Sequence, residues 1–219
     1  MPTQAIPGIR PCDPKRDRRL QATAGNGMLT AGASAMLEND MAGRVEAVHR
    51  SAEHAFSKSR AESIELIAGR GVRDDAHCGH TVQHRSRVAQ DPAQPNLRQV
   101  HLLQAELLDE LDAVGLNVTP GQMGENITTR GIELLVLSAG SLLRVGATAV
   151  IRVTGLRNPC RQIEAFRPGL LRAVLERTPD GRVVRRAGIM GVVEQGGFVR
   201  PGDTLEVSQP TIHVPMQVV

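Results

Sequence analysis

The chain has 219 residues, a formal net charge of +3 and 41% hydrophobic residues, which is the composition of a globular protein with room for one sizeable domain. It contains three Phe, no Trp and no Tyr. Binding of single-stranded nucleic acid usually depends on aromatic side chains that stack against bases, so this composition argues against it. The basic residues are also scattered rather than clustered. We therefore expect no nucleic-acid partner, and a core built from Val, Leu, Ile and Ala.

The cysteine content and the lack of long apolar runs predict the compartment. Cys12, Cys78 and Cys160 are odd in number and are not spaced in pairs, which argues against a secreted disulfide scaffold. The N-terminus has no unbroken apolar segment like that of a signal peptide, and no apolar run approaches the ~18 residues needed to cross a bilayer. We therefore expect a cytoplasmic protein with no membrane partner.

Residues 1–40 differ in composition from the rest of the chain. They combine four prolines, a charge cluster at residues 15–19 and a tract of small residues, and no helical or strand period persists through them. We expect a disordered or weakly ordered N-terminal extension at residues 1–40, followed by one domain at residues 41–219. Met41 opens the first strand-like alternation, which suggests it as the natural start.

Short strands separated by glycine turns dominate the remaining chain. Alternating or β-branched runs predict strands at residues 45–49, 63–67, 133–137, 141–145, 147–154, 182–186, 188–194 and 204–207. Leucines at i+3 and i+4 spacing predict a helix over residues 97–115, although residues 98–103 could instead form a strand that leads into a helix from Gln104. A brief helix is predicted at residues 168–177, with Pro168 in its first turn. Strand–helix–strand alternation is absent over most of the chain, so the pattern is typical of a β-barrel or sandwich.

One cysteine follows a predicted strand at a stiff turn. The strand stops at Gly155 and Pro159, because glycine permits unusual dihedrals and proline removes a backbone donor. Cys160 comes directly after this turn, with Arg157 and Arg161 close by in sequence. Nearby positive charge favours the thiolate, which attacks electrophiles and binds soft metals. The alternative is that Cys160 is a small buried hydrophobe, the commoner fate of a free cysteine.

Three loops combine in an order that resembles a known family. They carry the sequences GQMGENITTRG at residues 121–131, NPC at 158–160 and VRPGD at 199–203. Together these loops closely resemble the MOSC domain, named for the C-terminal domain of molybdenum-cofactor sulfurases. The earlier segments GRGV at 69–72, DAH at 75–77 and RQVHL at 98–102 resemble the stand-alone bacterial members. The resemblance extends over residues 45–207, which is most of the chain.

The resemblance implies a mainly β fold with a few helices, centred on a MOSC-type β-barrel and forming a single domain. It also implies binding of the molybdenum cofactor (molybdopterin), a pterin that carries a phosphate and a dithiolene. In catalytic relatives the motif cysteine ligates molybdenum, and that role falls on Cys160; a thiolate is a soft ligand, and a rigid turn pre-positions it. Lys58, Asn126 and Asn158 resemble the residues that hold the cofactor, and Arg85 is a further candidate by its charge and loop position.

One position departs from the stand-alone members, which tend to have glycine where Asp74 precedes the DAH segment. Glycine there would allow a positive φ, which Asp tolerates better than most residues. We therefore expect the turn to survive. We also expect an extra carboxylate beside the cofactor site, which could weaken anion binding.

His77, Cys78, His80 and His84 lie in one predicted loop and include the usual ligand types of zinc. Their spacing matches no familiar zinc motif, so hydrogen-bonded loop histidines and contacts to a cofactor or substrate are retained as alternatives. If they contact a ligand, His77 is the candidate proton donor, because histidine titrates near neutral pH. Glu125 is expected to organise its loop as a hydrogen-bond acceptor, with a general acid as the alternative.

Three functions follow as hypotheses. The first is a molybdenum-dependent oxidoreductase that reduces N-hydroxylated or N-oxide-type small molecules, with Cys160 and His77 as catalytic residues and a separate reductase as electron donor. No glycine-rich loop follows a strand and opens a helix as a nicotinamide or flavin site requires, three cysteines are too few for an iron–sulfur cluster, and pyridoxal phosphate binding is not expected. The second is a sulfur carrier, in which a Cys160 persulfide passes sulfur between donor and acceptor proteins in metal–sulfur cluster or cofactor biosynthesis. The third is a cofactor-storage or ligand-binding module without turnover.

Overall fold

The computed structural model describes the backbone of residues 36–219 and the side chains of residues 41–219. Within this range the strands are β1 (Met36–Arg50), β2 (Ser59–Ala61), β3 (Ile64–Ile67), β4 (Gly71–Val72), β5 (Val100–Gln104), β6 (Ile127–Arg130), β7 (Leu142–Val145), β8 (Ala149–Leu156), β9 (Leu175–Arg177), β10 (Val183–Arg185), β11 (Ile189–Gln195), β12 (Gly197–Val199) and β13 (Thr204–Pro210). The helices are α1 (Arg85–Val88), α2 (Ala105–Ala113), α3 (Arg161–Phe166) and α4 (Leu170–Val174), with a 3-10 helix at Leu134–Val136. In this part of the chain, no helix has the length and apolar character needed to cross a membrane.

Seven of these strands close into a β-barrel. They pair in the order β13-β7-β8-β11-β5-β6-β1, and β1 pairs back onto β13, which closes the ring. β5 and β6 run parallel, whereas the other neighbours in the ring run antiparallel. β2 extends the sheet beside β1, and two smaller sheets consist of β12-β3-β4 and β10-β9. The predicted fold class, mainly β with a barrel and a few helices, is confirmed.

An aliphatic core fills the barrel, as the near absence of aromatic residues predicts. Val45, Leu102, Ile127, Ile151 and Leu205 come from different barrel strands and are all buried in it. Along β8, buried residues alternate with more exposed ones, which is the period of a strand with one face on a core. Each such aliphatic side chain contributes about 1.5–3 kcal/mol when fully buried.

α2 begins later than the helix predicted over residues 97–115. Residues 100–104 form β5 and the helix starts at Ala105, so the alternative of a strand that leads into a helix is confirmed. Leu107 and Leu111 are buried in a second apolar cluster that also contains residues of α3 and α4. Val114 continues the leucine spacing but is 71% exposed, because the helix has ended. Gly115 follows with a φ of 79°, as expected for the residue after a helix end.

Two predicted elements are wrong in type or extent. The strand predicted at residues 133–137 is a 3-10 helix, in which Leu134 and Leu137 are buried and Val136 is 47% exposed, so burial follows a spacing of three. The helix predicted at residues 168–177 is shorter, since α4 ends at Val174 and the chain continues as β9. Pro168 lies outside α4, before the left-handed Gly169. The sequence pattern also misses α1, α3, β2, β4, β6 and β12.

The predicted N-terminal extension falls mostly outside the described residues. β1 begins at Met36, before the predicted boundary at Met41, and residues 36–38 pair with β13. The disorder predicted for residues 1–35 lies outside the described part of the chain.

Candidate functional site

The six residues predicted for the site border one pocket of about 790 Å³. They are Lys58, His77, Arg85, Asn126, Asn158 and Cys160. A volume of this size is typical of small-molecule and cofactor sites. The six residues come from four separate stretches of the chain, so the fold brings them together although the sequence does not. Their individual roles stay predictions.

Cys160 lies at the end of the turn that follows β8. β8 ends at Leu156, and Cys160 is the residue before α3, whose Ile163 N–H donates to the Cys160 carbonyl across 3.0 Å. The thiol is free and partly exposed, and its Sγ donates to Gln162 Oε1 across 3.5 Å. A partly exposed thiol at a pocket does not match the buried hydrophobe of the alternative hypothesis.

A buried carboxylate joins three of the predicted residues. Asp75 Oδ2 accepts hydrogen bonds from Lys58 Nζ across 2.7 Å and from Asn126 Nδ2 across 3.0 Å. Asp75 Oδ1 accepts a hydrogen bond from the His77 backbone N–H across 3.0 Å and lies 3.1 Å from His77 Nδ1. The side chains of Lys58 and Asp75 are only 5% and 2% exposed. Asp75 therefore fixes the positions of Lys58, His77 and Asn126, and the sequence motifs do not predict this arrangement.

Asp75 keeps its negative charge in this environment. Burial opposes ionisation, but the hydrogen bond from His77 and the charge and hydrogen bond of Lys58 outweigh it and hold the pKa of Asp75 well below its usual range. Burial lowers the pKa of Lys58, and the charge of Asp75 opposes that shift. We treat the two as an ion pair, because each charge has its counter-ion at hydrogen-bond distance.

Asp74 adopts the positive φ that the sequence comparison with stand-alone members predicts. Its φ is 60°, so the turn survives without glycine. Its Oδ2 accepts a hydrogen bond from Arg50 Nη1 across 3.1 Å on the surface, where the Asp74 side chain is 61% exposed. Asp74 does not border the pocket, so the expectation that its carboxylate lies beside the anion site is wrong.

The glycine-rich loop at residues 121–124 holds the segment that carries Lys58. The Lys58 N–H donates to the Gly121 carbonyl across 2.8 Å, and Ser57 Oγ donates to the Gln122 carbonyl across 3.0 Å. Gly121 has a φ of 88°, and a Cβ there would lie 2.6 Å from the Lys58 carbonyl oxygen. Glycine is required at this position by both the dihedral and the close approach. The motif therefore acts by placing Lys58 at the pocket.

Glu125 organises this loop from its buried side. Its Oε1 accepts hydrogen bonds from the Gly121 N–H across 2.5 Å and from Thr128 Oγ1 across 3.0 Å. Burial raises the pKa of Glu125, although these hydrogen bonds oppose the shift. Glu125 does not border the pocket, which favours the role of a loop-organising acceptor over that of a general acid.

His54, His77 and His84 form a cluster on one wall of the pocket. The rings of His54 and His77 meet edge to face with centroids 5.1 Å apart, and the centroids of His77 and His84 are 6.3 Å apart. Burial, followed by neighbouring positive charges, lowers the pKa of His54 and lowers that of His84 to about 4. Of the three, His77 has the carboxylate partner: Asp75 accepts from its Nδ1–H, which leaves Nε2 available to a ligand.

The zinc alternative has no support in the structure. Within residues 41–219, no three His, Cys, Asp or Glu side chains come close enough together to hold a metal ion. His77 and His84 border the pocket, whereas Cys78 and His80 do not. The loop histidines therefore belong to the hydrogen-bonded or ligand-contacting alternatives.

Arg157 borders the pocket and has no counter-ion among the residues described by the structure, and the sequence motifs do not single it out as a binding residue. It is 8% exposed, and its buried Nη1 has no hydrogen-bond partner among the described residues. Its guanidinium lies 5.9 Å from the ring centroid of Phe56, and burial lowers the pKa of Arg157. An unpaired buried donor costs free energy, which is typical of a group that a ligand completes. The sequence offers one indication that Arg157 belongs to the site, because it directly precedes the NPC segment.

Among the residues that the structure describes, the pocket lining is cationic and contains no carboxylate. Lys58 borders the pocket together with five arginines, Arg85, Arg87, Arg98, Arg157 and Arg161. Lys58 is matched by Asp75, whereas none of the five arginines forms an ion pair with any residue that the structure describes. Such a lining concentrates anionic ligands.

Comparisons with known proteins agree with this fold. The family model of the MOSC domain matches residues 84–206, a range that contains Arg85, Asn126, Asn158 and Cys160. Among solved structures, the chain is similar to the YuaD protein from Bacillus subtilis, with a TM-score of 0.63, 23% identity, and coverage of 77% of this chain and 97% of that one. It is also similar to YiiM from Escherichia coli, with a TM-score of 0.51, 19% identity, and coverage of 78% of this chain and 73% of that one. At these identities the likeness shows the fold. No curated protein matches the chain.

Proposed function

This chain belongs to the MOSC domain family, and from that premise we propose that the protein binds the molybdenum cofactor in this pocket and catalyses the reduction of N-hydroxylated or N-oxide-type small molecules. The family is associated with this cofactor in general. Electrons would come from a separate reductase, because the sequence carries no flavin, nicotinamide or iron–sulfur motif.

One observation carries the proposal: a free thiol borders a cationic pocket, and the described residues of its lining include no carboxylate. The cofactor is an anionic pterin with a phosphate group and a dithiolene that holds the metal. A thiolate suits the metal, and guanidinium groups suit the phosphate. A volume of about 790 Å³ leaves room for a small-molecule substrate beside a cofactor.

The residues present fit the cofactor. Arg157 has a buried Nη1 that lacks a partner, and its neighbour in sequence, Asn158, adds an amide at the same pocket. These two residues would hold the phosphate, and Cys160 would ligate the metal. Lys58 gives one hydrogen bond to Asp75, and an ammonium group has three donors, so Lys58 can also serve a ligand. The Nδ2 group of Asn126 donates hydrogen bonds to Asp75 and to the His49 carbonyl, so the role of Asn126 would be to hold Asp75 in place.

Protons are the second requirement of this reaction. Reduction of an N–OH group to N–H and water consumes two electrons and two protons. The bound cofactor would supply the metal-centred redox chemistry. His77 would deliver a proton from Nε2, because Asp75 accepts from its Nδ1–H and fixes the orientation of a ring that borders the pocket. His54 and His84 stay neutral near pH 7, since both have lowered pKa values.

Elemental and pterin analysis tests the proposal. The protein would be produced in a host that makes the cofactor, together with the Cys160→Ala and Arg157→Met variants. Molybdenum and pterin in matching, near-stoichiometric amounts in the wild type, both reduced in Arg157→Met, support the proposal. Arg152→Met is the matched control. Arg152 lies on β8, the strand that leads to Arg157, but it forms an ion pair with Glu194 on the surface.

Other results of the same analysis would indicate one of the two alternative functions. Cyanide-labile sulfur on the wild type, lost in Cys160→Ala and not accompanied by molybdenum, would make the protein a sulfur carrier. Bound molybdenum and pterin without reduction of any N-hydroxylated compound, in the presence of a chemical electron donor, would make it a storage module.

A further inference from the structure

The positive charge of the pocket exceeds what one cofactor phosphate needs. A phosphate monoester carries about −1.5 to −2 charges at pH 7. The loop of Cys160 alone offers two arginines, Arg157 and Arg161, and the remaining three arginines of the lining lie on another stretch of the chain. Arg85, Arg87 and Arg98 on that stretch have no counter-ion among the described residues.

This second stretch, residues 84–98, forms a firmly held wall of the pocket. Asn96 is 5% exposed, and its Nδ2 donates to the carbonyls of His77 and Gly79 across 3.0 Å each. Its Oδ1 accepts from the Arg98 N–H across 3.1 Å. Because Asn96 ties the backbone of Arg98 to the histidine loop, the start of the Arg98 side chain is fixed relative to His77.

Arg98 also lies close to the Cys160 loop. Burial, followed by the charges of Arg87 and Arg157, lowers the pKa of Arg98 to about 10, and the charge of a Cys160 thiolate opposes this shift. Arg98 borders the same pocket as Arg87, Arg157 and Cys160 and interacts electrostatically with all three. It remains charged near pH 7. His84 adjoins these arginines as a neutral ring and offers a hydrogen bond without further charge.

We propose that Arg87 and Arg98 bind a carboxylate or phosphate group of the substrate, so that the preferred substrates are N-hydroxylated compounds with an anionic group. Guanidinium groups bind planar and tetrahedral oxyanions with paired hydrogen bonds, which gives both affinity and orientation. Arg98, Cys160 and His77 border the same pocket. A substrate whose anionic group is bound at Arg98 would therefore extend towards Cys160 and His77. This inference rests on the proposed function, because it specifies the substrate of that site.

A matched set of ligands tests it. Three N-hydroxybenzamidines differ only in the para substituent, which is a carboxylate, a phosphate ester or a neutral methyl ester. Calorimetry on the protein from the cofactor-competent host, without an electron donor, gives the three dissociation constants. We expect at least one anionic compound to bind about tenfold tighter than the ester. The tighter of the two anionic compounds identifies the oxyanion.

Variants assign the preference to residues. Arg98→Met and Arg87→Met are each expected to reduce the preference to about threefold or less, with molybdenum and pterin contents like those of the wild type. Arg152→Met should keep the full preference. Equal binding of all three compounds by the wild type overturns the inference, and so does an unchanged preference in both arginine variants. Loss of molybdenum and pterin in Arg98→Met also overturns it, since Arg98 would then serve the cofactor. A wild type without molybdenum contradicts the proposed function, whereas the ligand comparison still decides the inference.

Discussion

Lys58 Nζ lies 2.7 Å from Asp75 Oδ2, and the two side chains are only 5% and 2% exposed. Arg50 and Asp74, at the neighbouring acidic position, form a similar pair at 3.1 Å on the surface. Two adjacent aspartates therefore have opposite surroundings. Asp75 depends on its buried partners for its charge, whereas water can solvate Asp74.

Lys58→Met should destabilise the fold strongly. Removal of one partner from a buried ion pair leaves an uncompensated charge and typically costs about 3–5 kcal/mol. Arg50→Met is the matched control, and the loss of an exposed pair should cost about 1 kcal/mol or less. Urea unfolding of the two variants measures the difference in the free energy of unfolding. Equal losses in both variants would show that the Lys58–Asp75 pair is not buried as described.

Gly121→Ala should cost more stability than Gly115→Ala. Both glycines have a positive φ, of 88° and 79°, so either alanine pays about 1–2 kcal/mol for the dihedral. At Gly121 a Cβ would also lie 2.6 Å from the Lys58 carbonyl oxygen and from His49 Cδ2, whereas nothing lies within 4 Å at Gly115. Overpacking adds about 1–3 kcal/mol. The measurement is the difference in unfolding free energy between the variants, and a larger loss in Gly115→Ala would contradict the packing of the 121–124 loop.

The stability of the protein should fall as the pH drops from 6.5 towards 4, in part through His49. His49 is fully buried, and neither ring nitrogen has a hydrogen-bond partner in the described part of the chain. Burial, followed by the charges of Arg60 and Lys58, lowers its pKa from 6.5 to about 4. Because the pKa of His49 is lower in the folded protein, the unfolded chain binds a proton at His49 between about pH 6.5 and pH 4, whereas the folded chain does not. The stabilising contribution is present above pH 6.5 and is lost as the pH falls through that window.

His49→Leu should flatten this dependence. One such imidazole contributes at most about 1.4 kcal/mol per pH unit to the slope of the unfolding free energy. Part of the slope should persist in the variant, because the pKa of the buried His101 is lowered in the same direction. Urea unfolding at a series of pH values gives both slopes. An unchanged slope in His49→Leu would rule out His49 as a source of the acid sensitivity.

Arg157→Met should separate stability from cofactor binding. Replacing an unpaired buried charge with an apolar side chain of similar length is often neutral or stabilising, so the unfolding free energy of the cofactor-free protein should stay equal or rise. The cofactor content should fall, because Arg157 would lose its hydrogen bonds to the ligand. Arg152→Met should change neither property appreciably, since its surface pair with Glu194 is exposed. A destabilised Arg157→Met protein with full cofactor content would mean that Arg157 is structural.

The elements that were predicted correctly have local causes. Cys160 follows the end of β8 as predicted, and it lies directly before α3. The strand does not stop at Gly155, however, because Gly155 pairs with Met190 inside β8, which ends at Leu156. The residues predicted to line the site by their motif positions also share one pocket. The break after β8 can be read from neighbouring residues such as Pro159, whereas the fold brings the pocket residues together from four separate stretches of the chain.

The features that sequence reasoning missed depend on distant contacts. Asp75 meets Lys58 and Asn126, which lie 17 and 51 residues away along the chain, and no periodicity encodes that meeting. The apolar run at residues 133–137 favours a strand locally, yet the core receives Leu134 and Leu137 at a spacing of three. That the buried Nη1 of Arg157 has no hydrogen-bond partner among the described residues is likewise visible only once its neighbours in space are known.

X-ray absorption at the molybdenum edge tests the central claim most directly, on protein from a cofactor-competent host and on its Cys160→Ser variant. We expect molybdenum with sulfur neighbours in the wild type and one sulfur neighbour fewer in the variant, because Cys160 would be the protein ligand of the proposed cofactor. Absence of molybdenum from the wild type, or an identical sulfur shell in the two proteins, would contradict it.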